Sequence, residues 1–361
     1  MIVFQRLQIL FLLTILLLLG ANSVFATEFA VGTCKPSLHS FSTISAAVSS
    51  VPSGSTVLVC PGTYAEQVTI SQPLTLEGIT SGNSNQAIIT VPVAGLVLDE
   101  FGYAAQVEVT AGPVNITNIT VDGTGNNLDG SATLIGIFYD AGSGVIKGVT
   151  TRNQLDSGDG VGIFAVSGNS EPVTIEDCSV HDFDSGGINV VGNFTATVKG
   201  NHVNGSGGGI FIKSAGSVTD NEVTGPGISV GTGIQGDFPA VTISDNTVTN
   251  WNTGLVDSDA AKYTSNTVGN TGTGVLLEVA GATVESNTIT QASVGIDFEC
   301  ETSTVKSNTI NDAATGINNV PSGLTSANTY YSVSEIRSAC SGADSRKRME
   351  TPRIPHTPDG P

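Results

Sequence analysis

Few residues of this chain could do chemistry, and several of them gather between positions 122 and 184. Arg152 is the only arginine between Arg6 and Arg337, and it stands 30 residues after Asp122 and 29 before His181. Asp156, Asp159, Asp182 and Asp184 crowd the same stretch. An arginine set between an acid and a histidine can act as base or charge stabiliser, as β-elimination requires. Two carboxylates about 5 Å apart repel unless one is protonated or a cation bridges them, which suits a glycosidase acid/base pair or a calcium site. The catalytic candidates are therefore Arg152, Asp159, His181 and Asp184. The candidate metal ligands are Asp156, Asp159, Asp182 and Asp184, with Ca2+ as the ion implied. The plainer alternative is that these Asp residues cap turns and Arg152 neutralises local acids.

Such distant residues meet only if the backbone brings them together, and a repeat supplies the means. A Gly followed by an aliphatic residue recurs at Gly136-Ile137, Gly162-Ile163, Gly187-Ile188, Gly209-Ile210, Gly233-Ile234, Gly254-Leu255, Gly274-Val275, Gly295-Ile296 and Gly316-Ile317, at intervals of 20 to 26 residues. A second anchor, Asn-x-Val/Ile, lies between copies and begins at Asn201, Asn221, Asn246, Asn266, Asn287 and Asn308. Each unit holds three short alternating pieces separated by Gly, Asn, Asp and Ser, which read as strands and tight turns. One unit cannot bury its own apolar side. Stacking units as coils about 4.8 Å apart pairs every strand with its equivalent above and below. The fold expected over 27–340 is an all-β, single-stranded parallel β-helix of ten or more coils.

The repeated Gly-Ile and Asn-x-Val/Ile pattern resembles the right-handed parallel β-helix repeats of pectate-lyase-like proteins, which include many carbohydrate-binding proteins and sugar hydrolases. Residues 41–79 resemble the opening coils of that superfamily, including pectin methylesterases. There an N-terminal amphipathic helix, here about Ser42 to Ser50, caps the open end. The resemblance runs over roughly 34–340 and implies a fold without implying a reaction. The chain has no Asn-Thr-Asp, Gly-His-Gly and Arg-Ile-Lys set as in polygalacturonases and no Gly-Arg-Pro-Trp as in pectin methylesterases. It also lacks the Asp-Pro-His-Glu of alginate epimerases and Gly-Gly-x-Gly-x-Asp calcium repeats.

The anchors also place side chains. Counting from each Gly, positions +1 and +3 face the core and +2 faces out. Phe138 and Phe164 then stand side by side on adjacent coils with Phe211 two coils further on, a possible platform for sugar rings unless a long loop covers it. Trp251 falls in the column of Asp159 and Asp184, three coils beyond Asp184. The expected substrate-binding residues are thus Phe138, Phe164, Phe211 and Trp251. The Asn column reads as an internal hydrogen-bonded ladder, and Cys178, in the same column, as a buried, unreactive thiol.

The ends and the charge set the context. Residues 1–26 read as a signal peptide cleaved after Ala26, and 341–361 as a disordered tail. Cys34 and Cys60 bracket the start of the mature chain, and Cys300 and Cys340 its end. This suggests one disulfide at each terminus, among three possible pairings. Lys+Arg number 13 against 32 Asp+Glu, a net charge of −19, which repels phosphate backbones and excludes nucleic acid as a natural partner. The expectation is a monomer, secreted to the periplasm or beyond and free of the membrane after cleavage, that binds and could process a polysaccharide or cell-surface glycan. The alternatives are a lyase or glycoside hydrolase acting at Arg152/Asp159/His181/Asp184, and a non-catalytic structural or adhesive solenoid.

Overall fold

The computed structural model describes residues 27–340 except 83, 129, 131, 168, 169, 325 and 326. The expected signal peptide and tail lie outside the described residues. The chain winds as an all-β parallel solenoid of about 12 turns with one short helix. Its strands form one 32-stranded sheet in which each strand pairs in parallel with its equivalent one coil away. Among the described residues the exception is a small antiparallel pair, Thr80–Ser81 with Ser84–Asn85.

The expected phase is present. Ile137, Ile163, Ile188, Ile210, Ile234, Leu255, Val275, Ile296 and Ile317 stand in one vertical register. All are buried in a continuous core that extends from Val31 to Val320. Pairing across coils satisfies the backbone, and stacking of aliphatic residues on their own kind removes each coil's apolar side from water.

The two sequence anchors turn out to be one contact. A Cβ placed on Gly209 would lie 2.3 Å from Val223 Cγ1, and one on Gly254 would lie 2.4 Å from Val268 Cγ1. The branched residue of the Asn-x-Val/Ile step presses against the backbone of the Gly-Ile step, so the column admits no side chain. Its glycines serve close approach.

The Asn ladder is also present. Asn246 Oδ1 accepts from the backbone N–H (3.0 Å) and Nδ2 (2.9 Å) of Asn221, while its own Nδ2 donates to Val218 O, Ser244 O and Asn266 Oδ1. The same pattern runs from Asn201 to Asn308 and on to Asn328, one rung beyond the six anchors, where Tyr330 replaces Val/Ile. Cys178 tops the ladder: its backbone N–H donates to Asn201 Oδ1 at 2.9 Å. The thiol is buried, and burial pushes its pKa up to about 12, far from a reactive thiolate at neutral pH.

The helix expected near Ser42 to Ser50 is α1, Ile44–Ser50. Thr43 caps it through Ala46 N–H, and the Glu66 carboxylate accepts from the backbone N–H groups of Ile44 and Ser45, both at 2.9 Å. Its Ile44, Ala47 and Val48 are buried, and it packs most closely on the strand Val68–Ile70. Disulfides join Cys34 to Cys60 and Cys300 to Cys340, one toward each end.

Gly209→Ala should overpack the coil and cost about 1–3 kcal/mol, seen as a lower urea midpoint at unchanged slope. An unchanged midpoint would show slack that the contact distances deny. Asn246→Ala should leave the Asn221 backbone N–H unpaired, at about 1–3 kcal/mol, while its Nδ2 keeps Val198 O and Thr219 O, and should speed hydrogen exchange at the Asn221 amide.

Candidate functional site

The strands Ile119–Asp122, Thr150–Gln154, Ser179–Phe183 and His202–Asn204 stack so that Asp122, Arg152, His181 and Asn204 occupy successive rungs, as the repeat phase required. Arg152 Nε donates to Asp122 Oδ2 at 2.8 Å, and Asn153 Nδ2 donates to Asp122 Oδ1 at 2.9 Å. Thr124 adds its backbone N–H and its hydroxyl to Oδ1. Burial works to raise the Asp122 pKa, but the hydrogen bonds from Thr124, Asn153 and Arg152 outweigh it and pull the carboxyl down to about 2. Behind this rung two buried glutamines hold the backbone. Gln154 Nε2 donates to Arg152 O and to Gln106 Oε1, and Gln106 Nε2 donates to Asp122 O. The Arg152 side chain remains 37% exposed beside His181, whose Nδ1 lies 2.6 Å from Asp182 Oδ2.

The carboxylate pair and the calcium site expected nearby take a different form. Asp184 accepts from the backbone N–H groups of Asp156 (3.0 Å), Gly158 (2.9 Å) and Gly160, so both its oxygens brace the turn leading to Val161. Asp156 is buried and its Oδ1 accepts from Gly130 N–H. Asp182 meets His181, and Asp159 stands on the turn with its backbone N–H donating to Asp156 O. Among the described residues no group of three or more His, Cys, Asp or Glu is arranged to hold a metal. The oxygens of Asp184, Asp156 and Asp182 are engaged by turn N–H groups and by His181. Backbone N–H groups freed at tight turns take the nearest carboxylates first.

Phe138 and Phe164 are neighbours in register and stack with ring centroids 5.3 Å apart and planes 21° apart. They do not form an open platform. Only 3% and 7% exposed, they lie beneath Tyr103, whose ring meets them edge-on at 5.5 and 6.1 Å. Tyr103 begins the strand Tyr103–Val109, one coil before the first Gly-Ile step, where that anchor gives no phase. Phe211 is half-buried between Asn189 and Gln235 on the outer face.

Trp251 departs further from the expected exposed position. It is 0% exposed, and its Nε1 donates to Val223 O at 3.3 Å. Gly225 and Gly231 leave a corner without side chains, and a Cβ on either would fall within 2.5 to 2.8 Å of the indole. The ring fills that corner and has no surface left for a ligand.

A family model described as a right handed beta helix region matches residues 104–268. The fold of the chain is a right-handed parallel β-helix. No curated protein matches it in sequence. Among solved structures it is similar to a lacto-N-biosidase from Eubacterium ramulus, at 11% identity and TM-score 0.58 over 86% of this chain and 68% of that one. It is also similar to the Dettilon tailspike protein, at 17% identity and TM-score 0.50 over 77% and 62%. A third structure, the A-module of a mannuronan C-5 epimerase from Azotobacter vinelandii, aligns at 16% identity and TM-score 0.48 over 81% and 90%. At these identities the likeness is one of fold.

This β-helix carries a further cluster that sequence reasoning missed. Glu108 pairs in register with Phe138 and Thr69, and Asp140 follows two residues after Phe138. Burial raises the pKa of Glu108, with Asp140 and Asp99 adding to the rise against a hydrogen bond from Thr69. Asp140 is raised by burial and then by Asp99, and the Tyr103 phenol by burial and then by Asp99 and Asp140. Extending the Phe column one coil toward the N-terminus would have found Glu108.

The depressed Asp122 pKa fixes a sign. Its contribution to stability is complete above the ordinary carboxylate value of 3.8 and is lost as pH falls through about 2. Asp122→Asn should therefore flatten the fall in urea midpoint between pH 4 and about 2. An equally steep fall in the variant would assign the acid sensitivity elsewhere.

Proposed function

We propose that this β-helix protein binds a polysaccharide lengthwise along the outer face of its Gly-Ile strands. The observation that carries the reading is the continuity of that face. Outward positions stand one above the other from Glu108 through Phe138, Phe164, Asn189, Phe211, Gln235, Val256, Leu276 and Asp297. Beside them Gln235 Nε2 donates to Ser258 Oγ, which donates to Glu278 Oε2, linking three coils through polar side chains. In this column Glu108, Phe211, Gln235, Leu276 and Asp297 are half-buried while Phe138, Phe164, Asn189 and Val256 are buried, so contacts are offered at intervals along the axis, which suits an extended polymer of hydrogen-bonding rings better than a single compact ligand.

The solved neighbour named for action on a glycan, a lacto-N-biosidase, fits this reading. So do two disulfides and a sequence that reads as exported, since both accord with an oxidising setting in which such polymers occur.

A catalytic reading has one observation in its favour. Arg152 is fixed through Nε by Asp122 yet keeps part of its guanidinium in solvent beside His181, which Asp182 orients. In that reading Arg152 and His181 carry the lyase or hydrolase chemistry, and Asp184 serves the turn.

Affinity electrophoresis of the mature protein through gels containing neutral, cationic and uronate polysaccharides tests binding. Retardation is expected in at least one, and Phe211→Ala with Gln235→Ala should weaken it severalfold. Free migration in every gel would end the proposal. Release of new reducing ends that disappears in Arg152→Lys would establish the catalytic reading in addition.

A further inference from the structure

The outer face is not chemically uniform, and one end of it is built for positive charge. Phe101, 59% exposed, and the half-buried Tyr103 form the outer surface of a four-ring cluster, with Phe138 and Phe164 supporting Tyr103 from beneath. Asp99 holds the segment in place by accepting from the backbone N–H groups of Phe101 and Tyr103, each at 2.8 Å. Glu108 stands in register with Phe138, and Asp140 follows two residues after Phe138 on the same outward parity; burial first, then Asp99 and Asp140, raises the Tyr103 pKa.

No lysine, arginine or histidine pairs with any of these three acids among the described residues. Lys213, three coils on in the column of Asp140, pairs with Asp237 at 3.1 Å, while Lys147 pairs with Glu176 at 2.7 Å and Arg152 with Asp122 at 2.8 Å. The outward positions further along the face add Asp237, Glu278 and Asp297 against Lys213 alone, within a chain of net charge −19.

Aromatic faces attract cations, and sugar rings stack their C–H faces on them. Carboxylates without a counterion favour an ammonium and repel another carboxylate. We propose that Phe101, Tyr103, Glu108 and Asp140 form a subsite for a protonated amino sugar, so that the polymer taken by this face is a cationic glycan and not a polyuronate. The proposal rests on the lengthwise polysaccharide reading and adds its charge class. The ring would stack on Phe101 and Tyr103 with its ammonium directed to Glu108 and Asp140.

Isothermal titration at pH 5.5 with three oligosaccharides of equal length tests it: a chitosan oligomer, its N-acetylated counterpart and an oligogalacturonate. The chitosan oligomer should bind at least tenfold more tightly than the other two, and the preference should shrink as salt screens the charges. Glu108→Gln with Asp140→Asn, near-isosteric changes, should remove most of that preference while leaving the thermal midpoint at or above that of the parent. Phe101→Ala, at an exposed position, should weaken chitosan binding without unfolding the coil.

Equal or tighter binding of the acetylated or uronate oligomer would overturn the amino-sugar subsite while leaving the lengthwise reading intact. An unchanged chitosan affinity in the doubly substituted protein would do the same. Binding of tetramethylammonium or a lysine-rich peptide without chitosan would assign the cluster to another cation and overturn the proposal. Failure of every glycan to bind would remove both readings together.

Discussion

Every coil of this protein depends on the coil above and below it for its hydrogen bonds and its core, so the vertical register is the constraint from which the rest follows. Three features enforce it at three depths. The strand ladders pair equivalent residues, the Gly-Val contact locks the backbone of one strand against a side chain of another, and the Asn ladder satisfies buried polar groups inside the turn. A one-residue slip would turn the Ile column toward solvent and place a side chain where only a hydrogen atom fits. Local stability is therefore cooperative along the axis, in the manner of stacked repeats.

The same register makes surface columns, and columns are how this fold assembles chemistry from distant residues. Asp122, Arg152 and His181 come from three coils yet stand on successive rungs. What happens at such a column is decided by donors and neighbours. Asp122 receives hydrogen bonds from Thr124, Asn153 and Arg152 and is held strongly acidic, whereas burial first and neighbouring acids second push Glu108 and Asp140 the other way. The first arrangement consumes its charge within the protein.

Turns compete with sites for the same side chains. Asp184 and Asp156 have the residue type and crowding that a calcium site needs, but their oxygens accept from backbone N–H groups of the turns around them. A solenoid with so many tight corners uses much of its Asp and Asn in this way. That explains how an acid-rich protein can lack, among its described residues, an acidic metal cluster.

The coil count, the inward Ile column, the Asn ladder with Cys178 at its head and the adjacency of Phe138 and Phe164 were all legible in the amino-acid order. They depend on strand alternation and on a translation of about one coil, both written into Gly-Ile and Asn-x-Val/Ile spacing. What covers or fills a position was not legible. Tyr103 reaches over the Phe pair from a coil without the Gly-Ile anchor, and Trp251 turns inward because Gly225 and Gly231 leave its corner empty. Corner directions depend on turn length and on space left by other coils, quantities that no local pattern records. A periodic sequence therefore states who stands above whom, while packing at the corners settles which of those residues meets water.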